Sequence, residues 1–154
     1  MLKQQLTDLV IIPTIKEIPH GYSEEAVLAA QMIIAHESSG GEYIKQLGGP
    51  ALGVTQMEPD THDDVWKHGD SIWDNAVTLG IINENKYSSR AHPNAKRLIY
   101  DMRYCIFMLR QKLFMAPSAL PSDPSEMAAY LKLNWNGGGK ATATKYHWDW
   151  QHWD

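Results

Sequence analysis

The residues from Glu24 to Glu37, EEAVLAAQMIIAHE, constrain the fold more than any other stretch of the chain. Ala26, Val27, Leu28, Ala29, Ala30, Met32, Ile33, Ile34 and Ala35 make a helix here apolar nearly all round, which means a buried helix. Ser23 reads as its N-cap, and Glu24 and Glu25 lie in the first turn, where acids complement the helix dipole. At the other end the apolar run stops at a carboxylate, Glu37, followed by Ser38-Ser39-Gly40-Gly41. An acid at a helix C-terminus meets partial negative charge, and beside an apolar wall its ionised form is further disfavoured by desolvation. Both effects favour a carboxyl group that holds its proton, which is what a general acid needs; a solvated Glu at a frayed helix end is the plainer alternative.

The segment after Glu37 cannot continue the helix. Gly40, Gly41, Gly48, Gly49, Gly53, Pro50 and Pro59 predict short strands or turns, either as a cleft wall where backbone can approach a ligand or as a glycine-rich surface loop. Thr61 reads as the cap of a short helix through His68, with Asp63 and Asp64 as dipole partners in its first turn.

Helical spacing recurs along the chain. Leu2, Leu6, Leu9 and Val10 mark an N-terminal helix that Pro13 stops or kinks, so residues 1–20 read as a packing arm, with a partner-binding arm as the alternative. Residues 70–87 read as a core helix with Asp70 as cap and Gly80 at or near its end, and Ser88 to Pro93 as a loop. Asn94 caps the longest helix, whose stripe of Leu98, Ile99, Met102, Cys105, Ile106, Leu109 and Leu113 is core. Lys96, Arg97, Arg103, Arg110 and Lys112 fall mostly off that stripe, as a solvated face. Pro124 starts another helix, which ends at Asn134-Trp135-Asn136 and three glycines. In the tail, Tyr146, Trp148, Trp150 and Trp153 either close the core or offer flat rings to a sugar. His147, Asp149 and His152 lack the spacing of a helical His pair, so no metal site is expected.

Bulk properties narrow the function. A chain of 154 residues with 44% hydrophobic and 21% charged content suits one globular domain. A net charge of −4 without a basic run gives no footprint for nucleic acid. No apolar stretch is long enough to span a membrane, and the N-terminus lacks a signal-peptide pattern, so synthesis in a bacterial cytoplasm is the expectation. The single cysteine, Cys105, reads as a small buried hydrophobe.

Three segments, Glu37-Ser38, Gly53-Val54-Thr55-Gln56-Met57-Glu58-Pro59-Asp60-Thr61 and Asn134-Trp135-Asn136-Gly137-Gly138, resemble in order and spacing the signature segments of the soluble lytic transglycosylase and goose-type lysozyme family, across roughly residues 23 to 140. The resemblance implies a mainly α, lysozyme-like (α+β) single domain over 1–154: a helical bundle around a buried catalytic helix, with a small irregular or β cleft wall. It implies cleavage of the β-1,4 MurNAc–GlcNAc bond of peptidoglycan, as a lytic transglycosylase or muramidase, without a cofactor. Glu37 would be the acid, and Ser38, Gly53, Gln56, Met57, Trp135 and Asn136 would bind substrate. An inverting hydrolase would also need a second carboxylate about 6.5–9.5 Å away, for which Glu58 and Asp60 are the candidates; a transglycosylase would not, because the substrate's N-acetyl group assists.

The chain departs from the family at two points. Gly53-Val54-Thr55-Gln56 stands where the family has Gly-Leu-Met-Gln, and Trp135-Asn136 stands where it has Tyr-Asn. The second change replaces a phenolic hydroxyl by an indole N–H, which donates but cannot accept. Size and composition suit a bacteriophage endolysin or virion-associated lysozyme acting at the cell wall or periplasm, with glycan strands as its partner. The alternatives are a non-catalytic peptidoglycan- or chitooligosaccharide-binding module and a structural subunit of a phage or secretion assembly; oligomeric state is open.

Overall fold

The computed structural model of the chain describes residues 1–83, 91–136 and 138–154. Its helices are α1 (Lys3–Leu6), a π-helical turn (Thr7–Ile11), α2 (Ile12–Glu17), α3 (Glu24–Glu37), α4 (Pro59–His68), α5 (Ile72–Thr78), α6 (Arg97–Tyr100), α7 (Met102–Phe114), α8 (Pro124–Asn134) and α9 (Ala143–Gln151). The class is mainly helical. Among the described residues, β structure is confined to two isolated antiparallel bridges, Lys45 with Leu52 and Leu52 with Met57, so the segment between α3 and α4 is irregular.

α3 is the enclosed centre that its composition requires. Ala29, Ala30, Met32, Ile33 and Ile34 are fully buried, and Ser23 caps the helix by accepting from the Ala26 N–H at 3.0 Å. α7, α8, α9 and the N-terminal helical run pack around it. α7 is the second buried rod, with every side chain from Tyr104 to Gln111 inside. Cys105 donates its S–H to the Leu98 carbonyl at 2.9 Å, and burial pushes its thiol up to about 12, so it is an inert core residue.

Four sequence expectations shift at element boundaries. Pro13 does not stop the first helix: helical backbone runs through to Glu17, with Pro13 in the first turn of α2 directly after the π-helical turn. The wider π turn also rotates the buried stripe, so Leu6, Ile11, Ile15 and Ile18 face the core while Leu2 and Leu9 are exposed. α4 begins at Pro59 rather than beyond Thr61, because proline is pre-set for a first helical turn and its missing N–H has no partner to lose there. α5 runs from Ile72 to Thr78 behind Ser71, and Gly80 closes it in a left-handed conformation; the expected continuation over 84–87, like the expected loop residues 88–90, lies outside the described residues.

The fourth shift concerns the longest helix. The stretch expected to start at Asn94 is split at Asp101, whose backbone is extended. Asp101 accepts from the Tyr104 N–H at 2.9 Å and from Arg97 Nε at 2.9 Å, so its carboxylate caps α7 and pins α6. A short acid that bonds the backbone ahead of it competes with helix continuation.

The tail closes the domain. Tyr146 and Trp153 are buried, Trp150 donates to Gln31 Oε1 at 3.1 Å, and Trp153 Nε1 donates to the Met1 carbonyl at 2.7 Å. Trp148 is half exposed and stacks on His152. The expected core role therefore holds for Tyr146, Trp150 and Trp153.

Candidate active site

α3 ends in a tight left-handed turn. Ser39, Gly40 and Gly41 all have positive φ, and the Ser38 and Gly40 N–H groups both donate to the Ile34 carbonyl, at 3.2 and 3.0 Å. The Trp153 indole lies against Gly40 so closely that a Cβ there would stand 2.6 Å from Trp153 Cδ1. Only glycine fits, and the chain must turn away directly after Glu37. Ser38 serves this turn: its fully buried hydroxyl donates to the Ile34 carbonyl and accepts from the Gly41 N–H at 2.9 Å. Ser38 does not line the cleft, so the expected substrate-binding serine is a helix-terminating one.

Glu37 opens onto a cleft of about 420 Å³. One side of it is the irregular wall, with Gln46, Ala51, Gln56 and Met57; another is the start of α4, with Glu58 and Thr61; the rest comes from Lys112 near the end of α7 and the corner after α8, with Trp135, Asn136, Gly138 and Gly139. The cleft thus gathers Glu37, Gln56, Met57, Glu58, Trp135 and Asn136 from the expected set. Gly53 lies beneath it, and Asp60 is exposed and does not line it, leaving Glu58 as the second carboxylate of the cleft.

Gly53 shapes the wall from below. Its φ is +79°, and a Cβ would stand 2.6 Å from Cys105 Sγ and closer still to the Leu98 carbonyl. Its own carbonyl accepts from both the backbone N–H and the side-chain Nε2 of Gln56, at 3.0 and 2.8 Å. Gln56 is itself left-handed, at φ +50°, a conformation that a buried non-glycine residue keeps only when its surroundings hold it.

The Glu37 carboxyl has a partner the motifs did not supply. The Tyr146 hydroxyl, from α9, donates to Glu37 Oε1 at 2.9 Å. Tyr146 is wholly buried, and burial together with the adjacent carboxyl raises its pKa far above the ordinary range, so it stays a donor. α9 is locked onto α3 by a second contact one residue away: His36 Nδ1 lies 2.7 Å from Asp149 Oδ2, and the His36 ring packs on Tyr146 with centroids 4.2 Å apart. Burial raises the Glu37 pKa above its usual value; the Tyr146 hydroxyl, His36, Lys112 and the Asn136 amide pull it part of the way back. Desolvation wins, and the proton is held more tightly than on a free glutamic acid.

Lys112 is the other unexpected member, because sequence periodicity placed it on a solvated face. Its ammonium donates to the Trp135 carbonyl at 3.2 Å and sits 4.1 Å from the centroid of the Trp135 ring. Burial lowers its pKa, while Glu37 and Glu58 act in the opposite direction. Asn136 Oδ1 is buried and has no hydrogen-bond partner among the described residues, an acceptor at the cleft corner. None of the tail's tryptophans lines the cleft, and His147, Asp149 and His152 do not converge, since Asp149 is held by His36 and Lys145.

Searches against models of known protein families, against curated proteins and against solved structures found no match to the chain. What the fold and site define is therefore a class: a mainly helical protein with a largely buried carboxyl group of raised pKa at one end of a buried helix, facing a polar cleft.

Proposed function

We propose that the chain is a peptidoglycan-cleaving glycosidase acting on the β-1,4 MurNAc–GlcNAc bond, with Glu37 as general acid. The observation that carries the reading is the Glu37–Tyr146 pair, a carboxyl group whose proton is favoured by burial and whose direction is fixed by a buried phenol, at the edge of the cleft. The resemblance of Glu37-Ser38, Gly53 to Thr61 and Asn134 to Gly138 to the transglycosylase and goose-type lysozyme segments supports the choice of substrate. So does the lining. Gln46, Gln56, Thr61 and Asn136 offer amides and a hydroxyl to a sugar's hydroxyl and acetamido groups, in a volume within the range of about 300–1,000 Å³ typical of ligand clefts.

In this mechanism Glu37 gives its proton to the glycosidic oxygen as the C1–O bond breaks. The positive charge that develops at C1 is relieved by attack of the same sugar's C6 hydroxyl, yielding an anhydro end, or of water, yielding a reducing end. The C6 hydroxyl returns its proton to Glu37, whereas attacking water gives its proton to a second carboxylate. For the hydrolytic route Glu58 is the carboxylate in the cleft that would activate water. Such an enzyme would meet its substrate at the bacterial wall, as a phage lysis or virion enzyme does.

The test is digestion of purified peptidoglycan by the parent and by Glu37→Gln, with soluble products weighed by mass spectrometry. Muropeptides from the parent alone are expected, and anhydro ends would be lighter than reducing ends by one water. A folded parent that releases nothing refutes the enzyme; retained glycan binding would then point to a binding module, and no binding to an assembly subunit.

A further inference from the structure

Away from the cleft, α4 and the segment leading to α6 bring together three groups for which glycan cleavage has no use. His62, fully buried on α4, has Nδ1 2.8 Å from Asp63 Oδ1. His92 approaches the same oxygen, with Nε2 at 4.0 Å. The three donor atoms lie within 4.8 Å of one another. We propose that His62, Asp63 and His92 form a binding site for a divalent transition-metal ion, with zinc as the best fit.

The hydrogen bonds behind the two imidazoles argue for this. His92 Nδ1 lies 2.8 Å from the Pro93 carbonyl, which can only accept, so Nδ1 carries the proton. In the neutral ring Nε2 is then a bare lone pair directed at a carboxylate oxygen, acceptor facing acceptor. At 4.0 Å the two are too far apart for a hydrogen bond and far enough apart to admit an ion between them. The Trp66 indole stacks on His92, with centroids 5.7 Å apart and planes 11° from parallel, and fixes the plane of the ring.

His62 is backed in a similar way. Its Nε2 lies 2.6 Å from the Tyr104 hydroxyl, which also accepts from Trp66 Nε1 at 2.8 Å. With Nδ1 on a metal, Nε2–H would donate to the Tyr104 oxygen, whose second lone pair lies beside the one that accepts from Trp66. A metal-bound histidine usually has its other ring nitrogen held by a carbonyl, carboxylate or comparable group, and both rings here meet that condition.

Two imidazole nitrogens and one carboxylate oxygen are a borderline donor set that suits zinc, with a water in the fourth position, better than the all-oxygen sets of calcium or magnesium. Bonds of about 2.0–2.1 Å in a tetrahedron require donors about 3.3 Å apart. The two Asp63 separations of 2.8 and 4.0 Å straddle that value and all three donors lie within 4.8 Å, so binding would draw the exposed Asp63 carboxylate and the His92 ring inward toward His62. The ion would tie residues 91–94 to α4, the helix that carries Glu58 and Thr61 to the cleft.

The experiment uses the full chain, stripped with a chelator and titrated with Zn²⁺ against a chromophoric competitor. Variants are His92→Phe, which keeps a ring against Trp66, Asp63→Asn, and His68→Gln as a control for the separate exposed His68–Asp64 pair. Circular dichroism verifies that each is folded. One equivalent of zinc is expected in the parent and in His68→Gln. Loss of groups behind the ligands typically costs 10–100-fold in affinity, so loss of a ligand in His92→Phe or Asp63→Asn should cost about 100-fold or more. Zinc at a hundredfold excess over the parent's Kd should raise the parent's Tm by about 5–10 °C and that of the two ligand variants by no more than about 1–2 °C. No bound equivalent in the parent, or one of unchanged affinity in both ligand variants, overturns the site.

Discussion

Replacing Tyr146 by Phe tests the pair on which the functional reading rests. The substitution removes one oxygen and leaves the buried ring and its contact with His36 in place. What is lost is a 2.9 Å hydrogen bond whose acceptor is a carboxyl group. Such a bond contributes about 1.5–3 kcal/mol when the acceptor is ionised and about 0.5–1.5 kcal/mol when it is neutral. For a chain of 154 residues, each kcal/mol moves Tm by about 2–4 °C. Tyr146→Phe should therefore melt about 3–12 °C below the parent on the alkaline side of the Glu37 titration, where the carboxylate has formed, and only about 1–6 °C below it on the acid side, where the group is neutral. The hydroxyl stabilises the carboxylate, so its loss raises the Glu37 pKa further and the extra penalty falls on the alkaline side. Melts of the parent, Glu37→Gln, Tyr146→Phe and the double variant at both pH values give the coupling energy, expected to be about 1 kcal/mol or more at the higher pH. A coupling near zero there, or a Tm loss as large at low pH as at high, would refute the argument that Tyr146 acts on a carboxylate.

Two further outcomes follow from the same geometry. Because the folded-state pKa of Glu37 is raised above its ordinary 4.5, the folded chain binds more protons than the unfolded one over the window just above that value, and stability falls as pH rises through it. Glu37→Gln has no such ionisation, so urea denaturation should find it as stable as the parent well below pH 4.5 and increasingly more stable above; a gap that does not vary with pH would contradict the buried-acid assignment. Gly53→Ala places a methyl group 2.6 Å from Cys105 Sγ in a left-handed backbone conformation, which should cost about 2 kcal/mol or more and lower Tm by at least about 4 °C. An unchanged Tm would mean that Gly53 does not set the position of the cleft wall.

The buried centre of the fold was legible in the sequence wherever one residue type had one role. The all-apolar face count of α3, the Ser23 cap, the Pro124 start of α8 and the interior position of Cys105 each follow from a local rule, and tertiary packing agrees with every one. Boundaries were lost where two rules compete. Pro13 reads as a stop or a kink because proline lacks an N–H, and the run does not stop there: it continues through Pro13 behind a π turn, which shifts the buried face by a residue. Asp101 lies inside a helical stripe, yet its carboxylate serves Tyr104 and Arg97 better as a cap than as a mid-helix side chain.

The site divides along the same line, between contacts local in sequence and contacts made across the fold. Glu37, Gln56, Glu58, Trp135 and Asn136 lie in short segments whose glycines and helix ends announce a cleft, and they do converge. Tyr146 is 109 residues from the carboxyl it serves, so no spacing rule could pair them. A signal was present nonetheless: Tyr146 and Trp150 fall at i and i+4 on α9 with Trp153 just beyond its end, all packed on the core, and of the three only tyrosine brings a hydroxyl there. A buried phenol requires a partner, and the helix beneath it ends in a carboxyl group. Trp135 supports Lys112 through its ring face and its backbone carbonyl, while the hydroxyl that reaches Glu37 comes from Tyr146 on α9. His36 and Asp149 hold α9 in the register that makes this reach possible, so the aim of the acid depends on a contact between the first buried helix of the chain and its last.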